Sequence, residues 1–505
     1  MAEGSFYEEA TNRQPSPALA HTRWKVVVLD DDPTGSQTLH GCPLLLRWDP
    51  PALAAALAQP SPFLFLLANT RALAPSEAAQ RVREICRHLE GALAAARSAG
   101  LIDGALLVSR GDSTLRGHFP LEVEALAEEL GPIDATFLVP AFLEGGRTTV
   151  DGVHRLGGQP VHETPFARDG LFAYHTSELR LWVEEKTGGR IPASEVEQIS
   201  WRELEVAASQ ESARRALLLR LAALTGNRLV VVDAERPGHL ALFGALVREL
   251  AAPHPHGGES RPRRFLFQSA ASLLNGLAPL PPQPLAAADL AALRRRDPAG
   301  VSLPGLVLVG SHVPLADAQL ERLLAEPACG GVELAVAKVH RILEGPLPDR
   351  LLASLEEAWT GELQEVIAAG RTAVFFTSRG ELTCRHGRER RALGLALAGA
   401  MARVVARLAP SLGYVIAKGG ITSHTLLAEG FRLGAVDLQG QLFAGLSVVL
   451  PAATAAEGGL PEGLERLPIL TFPGNLGERD TLLRAWQWME AASPRPAPPD
   501  SAQQV

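Results

Sequence analysis

The sequence predicts an α/β protein of two domains, each a mainly parallel sheet wound with helices. Short apolar runs, of which residues 26–29 are the first, end in polar turns and alternate with helical segments, as in parallel sheets. The same alternation restarts after a proline-rich stretch at residues 280–284. The length of 505 residues also exceeds the size at which one hydrophobic core keeps growing, so two domains are expected.

The composition is that of an ordinary globular protein, with 46% apolar and 21% charged residues. A net charge of −8 argues against nucleic-acid binding, since a backbone binder needs a basic face. The four cysteines form no CxxC pair, which fits a reducing cytoplasm. The N-terminus does not read as a signal peptide, and no uninterrupted apolar run approaches the roughly 20 residues of a membrane span. We expect a cytoplasmic protein with no membrane partner.

In the first half of the chain, strand, polar turn and helix alternate. Pro75 and Glu77 open a long helix, since proline and acidic residues favour helix N-termini. Residues 150–210 are less regular, and we interpret them as an insertion lying over the site. The predicted strands are 26–29, 43–46, 63–70, 105–108, 135–139, 228–234 and 265–270, and the predicted helices are 52–58, 75–98, 120–130 and 238–251.

The second half repeats the pattern, and composition shifts suggest where the domains begin and end. Strands are predicted at 305–311, 372–378 and 414–423, helices at 315–325 and 423–430, and a hairpin at 436–450 that turns at Gly440 or Gly445. A further segment at 467–476 ends in Phe472-Pro473-Gly474-Asn475. The predicted organisation is a flexible arm (1–22), a first domain (23–277), a linker (278–300), a second domain (301–493) and a disordered tail (494–505).

Three consecutive carboxylates, Asp30, Asp31 and Asp32, follow the first strand directly. Pro33 removes a backbone donor, and Gly35 permits a tight turn among hydroxylated residues. In an open α/β sheet, ligands bind outside the carboxyl ends of the strands, where this turn would lie. Three like charges repel one another unless water, a metal or a hydroxyl-rich ligand lies among them. The alternative is a solvated acidic turn that caps a helix.

Acids, arginines and hydroxyls also collect at other strand ends of the first half. Arginine grips carboxylates and phosphates in a fixed plane, and carboxylates accept hydrogen bonds from hydroxyls. Together these groups suit a small polyhydroxy acid. Alternatively, Asp112 and Arg116, four residues apart, form only a structural ion pair. The residues of this set are Asp31, Asp32, Ser36, Arg110, Asp112, Ser113, Thr114, Arg116, Arg147, Thr148 and Thr149.

The second half instead collects glycine and hydroxyl residues at strand-to-helix turns. Glycine lets backbone N–H groups approach an anion, and a following helix adds the positive end of its dipole. Such turns are typical of a nucleotide phosphate site. Lys418 adjoins one of them, where it either pairs with phosphate as a point charge or is a solvated surface residue. The turns are Gly310-Ser311, Gly419-Gly420-Ile421-Thr422, Gly445 and Gly474-Asn475.

Several sharper templates are missing from the sequence: the Gly-x-x-x-x-Gly-Lys-Ser/Thr phosphate loop, the Gly-x-Gly-x-x-Gly dinucleotide turn, the His-Glu-x-x-His zinc helix and the Gly-x-Ser-x-Gly elbow. One competing template fits locally. Asp30, Asp32 and Thr34 match the Asp-x-Asp-x-Thr opening of haloacid-dehalogenase-like phosphatases. Residues 375–378 would imitate their second motif and Lys418 their lysine, but a whole domain and a linker separate the first two motifs. This phosphatase remains the alternative enzyme.

From about residue 24 to 477, the ordered motifs resemble those of the four-carbon acid sugar kinase family. The resemblance implies an N-terminal domain that binds a threonate-, erythronate- or 3-oxo-tetronate-like acid and a C-terminal domain that binds ATP, with the active site in the cleft between them. The product would be the 4-phosphate. The motifs are Asp30-Asp31-Asp32-Pro33-Thr34-Gly35, Asp112-Ser113-Thr114-Leu115-Arg116-Gly117, Pro140-Ala141-Phe142, Gly146-Arg147-Thr148-Thr149, Val161-His162-Glu163-Thr164-Pro165-Phe166-Ala167, Gly310-Ser311 with Gln319, Gly419-Gly420-Ile421-Thr422, Gly445 and Phe472-Pro473-Gly474-Asn475.

The site residues follow from these motifs. Asp31 or Asp32 is expected to accept the proton of the attacking hydroxyl, and Mg²⁺ accompanies ATP as its counter-ion, with no protein ligand assigned. A sugar-acid and nucleotide sensor without turnover is the non-enzymatic alternative, and self-association into a homo-oligomer stays open. The expected acid-binding residues are Ser36, Asp112, Arg116, Arg147 and Thr148, and the expected ATP-binding residues are Ser311, Lys418, Gly419, Gly420, Ile421, Thr422, Gly445, Gly474 and Asn475.

Overall fold

The computed structural model describes residues 23–33, 35, 38–252, 261–380, 387–453 and 459–491. The predicted N-terminal arm (1–22) and C-terminal tail (494–505) lie outside the described residues. The chain divides into two compact units, the first ending at Pro281 and the second beginning at Pro282. Each unit contains a mainly parallel sheet with helices, so the predicted fold class is confirmed.

The main sheet of the first unit is entirely parallel, in the order β2-β3-β1-β4-β11-β5-β10-β9. Its central strands are buried on both faces, which is why they appear in the sequence as continuous apolar runs. In chain order the strands of this unit are β1 (Trp24–Asp30), β2 (Cys42–Leu45), β3 (Phe63–Leu67), β4 (Gly104–Arg110), β5 (Ala135–Val139), β6 (Arg147–Val150), β7 (Val153–Leu156), β8 (Gln159–Pro160), β9 (Glu197–Ile199), β10 (Arg228–Val232) and β11 (Phe265–Ser269).

The helices of the first unit begin at capping signals that the sequence carries. The Asp49 carboxylate accepts a hydrogen bond from the backbone N–H of Ala52, and the Glu77 carboxylate accepts from that of Ala74. The helices are α1 (Pro50–Ala58), α2 (Pro75–Ser98), α3 (Leu121–Leu130), α4 (Leu179–Lys186), α5 (Trp201–Ser209), α6 (Glu211–Ala222), α7 (Pro237–Ala251) and α8 (Ser272–Leu277).

Residues 150–210, which we interpreted as irregular, are largely regular. Strands β6, β7 and β8 form a small antiparallel sheet, and β9 pairs with β10 as the edge strand of the main sheet. The buried Asp233 carboxylate accepts hydrogen bonds of 2.9–3.2 Å from the backbone N–H groups of Asp151, Gly152 and Trp201, which ties this region to the end of β10. The sequence conceals these strands because they are only two to four residues long.

The second unit has the strand order β13-β14-β12-β15-β18-β17-β16, in which β17 runs antiparallel to both neighbours and the other pairs are parallel. The strands are β12 (Gly305–Val309), β13 (Cys329–Leu334), β14 (Thr372–Thr377), β15 (Tyr414–Lys418), β16 (Ala435–Phe443), β17 (Leu446–Ala452) and β18 (Ile469–Phe472). The helices are α9 (Ala287–Ala291), α10 (Pro314–Leu324), α11 (Val336–Leu343), α12 (Pro348–Ala368), α13 (Gly387–Leu408), α14 (Gly420–Thr425) and α15 (Thr481–Glu490).

Local details refine the expectations for the second half. The hairpin formed by β16 and β17 turns at Gly445, while Gly440 lies within β16 beside a register shift. The helix expected at 423–430 begins earlier, at Gly420, and continues as a π-helical turn over Leu426–Gly430. The segment expected as a linker (278–300) includes α9, whose Leu290 and Ala291 are buried in the core of the second unit.

One stretch, Glu389–Ser411, is long and apolar enough to cross a membrane by length and composition alone. It covers most of α13, and 61% of its apolar window is buried inside the structure. Burial of this extent is typical of a core helix, because such a helix turns its apolar residues toward a sheet and neighbouring helices. Charged residues, among them Arg403 and Arg407, interrupt this stretch, so it contains no uninterrupted apolar run of about 20 residues.

Candidate active site

Pairing of the parallel strands brings the first set of predicted residues to one edge of the first sheet. Asp30, at the end of β1, is in register with Arg110 at the end of β4, and Arg110 is in register with Ser269 at the end of β11. The turns that follow these strands therefore start side by side, as expected for carboxyl ends in a parallel sheet. We name the charged residues here the acid cluster: Asp30, Asp31, Asp32, Arg71, Arg110, Asp112 and Arg116.

Asp31 is held by an arginine that we did not predict. Arg71 Nη2 lies 2.5 Å from Asp31 Oδ1 and Arg71 Nε lies 2.9 Å from Asp31 Oδ2, which is the two-pronged geometry of a guanidinium and a carboxylate. Arg71 Nη1 also reaches Asp32 Oδ2 at 3.4 Å. Burial raises the pKa of Asp31, against the opposing charges of Arg71 and Arg110. Arg71 therefore organises two of the three consecutive acids.

Asp30 is fully buried and Asp31 is only 2% exposed, so the alternative of a solvated acidic turn is wrong. Burial raises the pKa of Asp30 to about 8, despite the charge of Arg110, and so favours the protonated form. A side chain at Gly35 would collide with the Asp30 carboxyl group, which explains the glycine of this motif. Ser36, expected to bind substrate, lies outside the described residues.

Asp112 and Arg116 do form an ion pair, with 2.6 Å between Arg116 Nε and Asp112 Oδ2. Although burial alone would raise it, the charges of Arg116 and Arg71 and a hydrogen bond from the Thr114 hydroxyl hold the pKa of Asp112 well below its usual range. Arg116 Nη1 also lies 3.8 Å from Asp169 Oδ2. The pair is therefore part of the acid cluster and not an isolated helical contact.

Arg147 and Thr148 open β6, the first strand of the small antiparallel sheet. Arg147 donates from Nη1 to the Gly145 carbonyl at 2.5 Å and stacks over the Phe142 ring, 5.5 Å from its centroid. Its Nε is buried and has no hydrogen-bond partner among the described residues. Burial lowers the pKa of Arg147, opposed by the negative charge of Asp112. This guanidinium thus keeps a donor available beside the acid cluster.

A buried histidine ties the small sheet to the turn after β4. His154 Nε2 lies 2.8 Å from the Ser113 carbonyl, and its Nδ1 lies 2.9 Å from the Thr149 hydroxyl. Because a carbonyl only accepts, Nε2 carries the proton and Nδ1 accepts from Thr149. Burial lowers the pKa of His154 to about 4, so it is neutral at physiological pH. His154 therefore has a structural part, holding Thr149 and the Asp112 turn together.

A small cavity of about 20 Å³ adjoins the acid cluster, with room for about one water molecule. Its polar lining comprises Asp112, Arg116, Glu122, Gln268 and Ser269. Gln268 Oε1 and Ser269 Oγ are buried without a hydrogen-bond partner among the described residues. Burial raises the pKa of Glu122 to about 7, reinforced by the charge of Asp31. Buried polar atoms without partners are costly, so such atoms indicate a site built for a polar ligand.

In the second unit, three glycine turns converge after the adjacent strands β12, β15 and β18. A Cβ at Gly310 would collide with the Thr422 hydroxyl. A Cβ at Gly419 would lie 3.2 Å from Thr422 Oγ1 and 3.4 Å from Ser311 Cβ, and one at Gly474 would lie 2.6 Å from Ser311 Oγ. We name these five residues the glycine junction. At these three positions the Thr422 and Ser311 side chains lie so close to the backbone that only glycine, which has no Cβ, fits without a shift.

The remaining residues predicted for ATP lie at or near this junction. Gly420 and Ile421 form the first turn of α14, and the Ile421 side chain is 42% exposed. Ser447 of β17 is in register with Thr471 of β18, so the Gly445 turn lies at the carboxyl end of β18. Asn475 follows Gly474 in the next loop. The structure thus brings the predicted turns to one edge of the second sheet.

Lys418 is fully buried, so the alternative of a solvated surface residue is wrong. Its Nζ donates to the carbonyls of Pro473 at 3.1 Å and Gly474 at 3.3 Å and lies 4.0 Å from the centroid of the Phe472 ring. Burial lowers the pKa of Lys418 to about 7. Lys418 therefore holds the loop after β18 through its backbone.

A second unpredicted arginine, Arg379, anchors the Ser311 turn. Its Nη1 donates to the Ser311 carbonyl at 2.8 Å and to the Asp317 carboxylate at 2.7 Å. Like Arg71, which follows Thr70, it comes directly after a hydroxylated residue beyond the end of a strand, and this position was the signal that could have identified both. We overlooked them because the motifs themselves drew attention to acids and glycines.

Comparisons with known proteins decide the family. Residues 26–277 match the family described as a sugar-binding N-terminal domain, and residues 306–482 match a nucleotide-binding C-terminal domain. The chain is 27% identical over 431 residues to a D-threonate kinase of Cupriavidus necator, covering 83% of this chain and 86% of the relative. The chain belongs to the four-carbon acid sugar kinase family. The expectation that this family member is a kinase, a phosphotransferase with an alcohol acceptor, is confirmed.

Two further relatives are also named as kinases of four-carbon sugar acids. A D-threonate kinase of Bordetella bronchiseptica is 28% identical over 440 residues, with coverage of 86% of this chain and 88% of that protein. A D-erythronate kinase of Heliobacterium modesticaldum is 32% identical over 169 residues, and this match spans 33% of the chain but only 34% of that relative.

Solved structures agree with the fold of this family member. A putative tRNA synthase of Salmonella typhimurium superposes with a TM-score of 0.60 at 18% identity, covering 91% of this chain and 98% of that one. A Haemophilus influenzae protein gives a TM-score of 0.51 at 14% identity, covering 92% and 99%. At these identities the likeness concerns the fold alone.

Proposed function

We propose that this kinase transfers the γ-phosphoryl group of ATP to the terminal hydroxyl of a four-carbon sugar acid, such as threonate, erythronate or 3-oxo-tetronate. The acid binds the acid cluster of the first unit, and ATP binds the glycine junction of the second. One observation carries this proposal. Unpartnered buried polar atoms line the acid cluster within the unit that matches sugar-binding domains, whereas the glycine junction lies in the unit that matches nucleotide-binding domains.

The acid cluster offers both kinds of partner that a sugar acid requires. The guanidinium groups of Arg116 and Arg147 are donors for the substrate carboxylate, and Asp112, Gln268 and Ser269 present acceptors for its hydroxyls. A polyhydroxy acid would therefore satisfy polar atoms on both sides of the site. An apolar ligand would leave them buried and unpaired, which is costly.

Of the candidate bases, Asp32 is the better one. Asp30 is fully buried, which raises its pKa, and Asp31 is engaged by both prongs of Arg71. The Asp32 side chain is 18% exposed and meets Arg71 only at 3.4 Å. A general base must reach the proton that it removes. We assign the acceptance of the proton to Asp32. Asp31 instead holds the Arg71 side chain in position.

The glycine junction supplies the phosphate side of the reaction. Phosphoryl transfer depends on positioning and charge stabilisation more than on covalent catalysis. Backbone N–H groups at close glycine turns bind phosphate oxygens, and a side chain at Gly310 or Gly474 would displace Thr422 or Ser311 and so disturb these turns. Mg²⁺ enters as the counter-ion of ATP, and no side chain is assigned to it.

The phosphatase alternative requires Asp30 of its Asp-x-Asp-x-Thr motif as an ionised, accessible nucleophile. Asp30 is instead fully buried, and burial raises its pKa to about 8. Lys418, which would have imitated the lysine of that family, binds backbone carbonyls of the second unit. We therefore favour the kinase.

The test is ADP release by the full chain with ATP, Mg²⁺ and a panel of four-carbon acids. The proposal predicts turnover that requires one of these acids. Phosphate release from a sugar-acid 4-phosphate without nucleotide would support the phosphatase instead. Binding of both ligands without ADP release for any acid would support a sensor and overturn the kinase proposal.

A further inference from the structure

The loop at residues 473–478, which follows β18, is held from below by two buried side chains. Lys418 Nζ donates to the carbonyls of Pro473 and Gly474 at 3.1 and 3.3 Å. Gln319 Nε2, on α10, donates to the carbonyls of Leu476 and Glu478 at 3.1 and 2.6 Å. Both side chains are 0% exposed. Four carbonyls of one short loop are therefore fixed toward the protein interior.

Because these carbonyls are fixed, the N–H groups of the same loop are also held in place, and some of them remain available to bind a ligand. The N–H of Leu476 closes the turn onto the Pro473 carbonyl at 3.3 Å. Within the described residues, no acceptor is recorded for the N–H groups of Gly474 and Asn475. Successive N–H groups in a tight loop form a concave site for anions. The Gly474 end of this loop also adjoins Ser311 at the glycine junction.

We propose that Lys418 and Gln319 are positioning residues that brace the 473–478 loop, so that the amides of Gly474 and Asn475 bind the phosphates of ATP. This inference rests on the proposed function and adds two residues to it that do not touch the reacting atoms. Lys418 acts through the backbone of the loop, in place of the direct contact with phosphate that the sequence suggested.

The charge of Lys418 gives this brace a second effect. Burial is the one cause that shifts its pKa, to about 7, and no carboxylate is paired with it among the described residues. A nearby phosphate anion favours the protonated amine. ATP binding should therefore draw a proton onto Lys418 near pH 7.5, an effect that a purely structural lysine would not produce.

The chain offers matched controls for both side chains. Lys25 is also buried and donates to two carbonyls, those of Gln59 and Ser61, but it lies in the first unit. Gln283 donates to the carbonyls of Leu285 and Gln441, the latter on β16, which is two strands away from β18 in the second sheet. Neither residue adjoins the glycine junction. Lys25→Met and Gln283→Leu therefore remove the same kind of contact without touching the loop.

Calorimetric titration of ATP into the full chain, in buffers of different ionisation enthalpy, tests the inference. Lys418→Met and Gln319→Leu are expected to weaken ATP binding tenfold or more, with the KM of the acid changed less than twofold. The wild type should take up protons on binding ATP at pH 7.5, and Lys418→Met should not. The two controls should bind ATP within twofold of the wild type.

Two outcomes overturn the inference. If both variants fold and bind ATP within twofold of the wild type, Lys418 and Gln319 do not position the loop for ATP. The proposed function stands in that case. If the wild type itself binds no ATP, the proposed function is wrong and the inference falls with it. Should Lys418→Met fail to fold, Gln319→Leu decides alone, because its loss is uncharged and its control is in the same unit.

Discussion

At the scale of single residues, burial separates three adjacent acids into three chemical states. Asp30 is fully buried, which raises its pKa, Asp31 is buried and forms a two-pronged ion pair with Arg71, and Asp32 is partly exposed. Although the three residues are consecutive, their side chains differ in burial and in their charged neighbours. We therefore assign the exchange of a proton with the substrate to Asp32.

Substituting Asp32→Asn should lower kcat by about 100-fold or more, because positioned general bases contribute factors of about 10²–10⁴. The KM values of acid and ATP should change little. Steady-state ADP release measures this effect, with Asp151→Asn, an exposed acid of the small sheet, as the control that keeps wild-type turnover. Near-normal kcat in Asp32→Asn would show that the proton goes elsewhere.

Removing Arg71 should destabilise the first unit strongly. In Arg71→Met the buried Asp31 carboxylate loses both prongs of its partner, and breaking such a pair costs about 3–5 kcal/mol. The matched control is Arg202→Met, which breaks an exposed pair with Asp151 and should change the free energy of unfolding by less than about 1 kcal/mol. Urea unfolding distinguishes them, and equal losses in the two variants would contradict the buried fork.

At the scale of elements, the carboxyl ends of parallel strands place almost all of the site. Apolar runs predict β1, β3, β4, β5, β12 and β15 because strands buried on both faces need no alternation. The sequence conceals β13, whose Cys-Gly-Gly opening lacks that signal, and the short strands β6 to β8. The contacts of Arg71 and Arg379 are also hidden in the sequence, because their partners, Asp31 and Ser311, lie far away in the chain. The sequence therefore predicts a strand or a site residue where an apolar run marks the strand and the site residue directly follows it.

Filling the glycine junction should affect ATP alone. In Gly474→Ala the new Cβ would lie 2.6 Å from Ser311 Oγ, so the Ser311 side chain or the turn must move. We expect ATP binding to weaken at least tenfold and acid binding to persist, as measured by titration of each ligand. Gly361→Ala is the control, because that glycine lies within α12 with nothing within 4 Å of the added carbon. Loss of acid binding in Gly474→Ala would argue against the division of labour.

The loop brace also predicts a pH dependence of stability. Burial lowers the pKa of Lys418 from 10.5 to about 7. The unfolded chain therefore binds more protons than the folded chain between these values, and stability rises with pH across that window. Relative to Lys418→Met, the free energy of unfolding of the wild type should increase by about 1 kcal/mol per pH unit. Urea unfolding at pH 7.5 and 9.5 measures it, and a constant difference would contradict a buried titrating lysine.

At the scale of the whole molecule, the two units match two domain families, and we assign one half of the proposed reaction to each. The chain is acidic overall, with a net charge of −8, while both proposed ligands are anions. Recognition must then rest on local groups, namely arginines in the first unit and backbone amides in the second. The active site in a cleft, the homo-oligomer and the cytoplasmic location stay predictions from the sequence.

The most direct test of this account follows the phosphoryl group itself. ATP labelled in its γ-phosphoryl group is incubated with the full chain, Mg²⁺ and each four-carbon acid, and the products are separated and identified by mass. The account predicts that the label appears on the terminal oxygen of one acid, with ADP formed in equal amount. Label found only in inorganic phosphate, or retained in ATP with every acid, would contradict it.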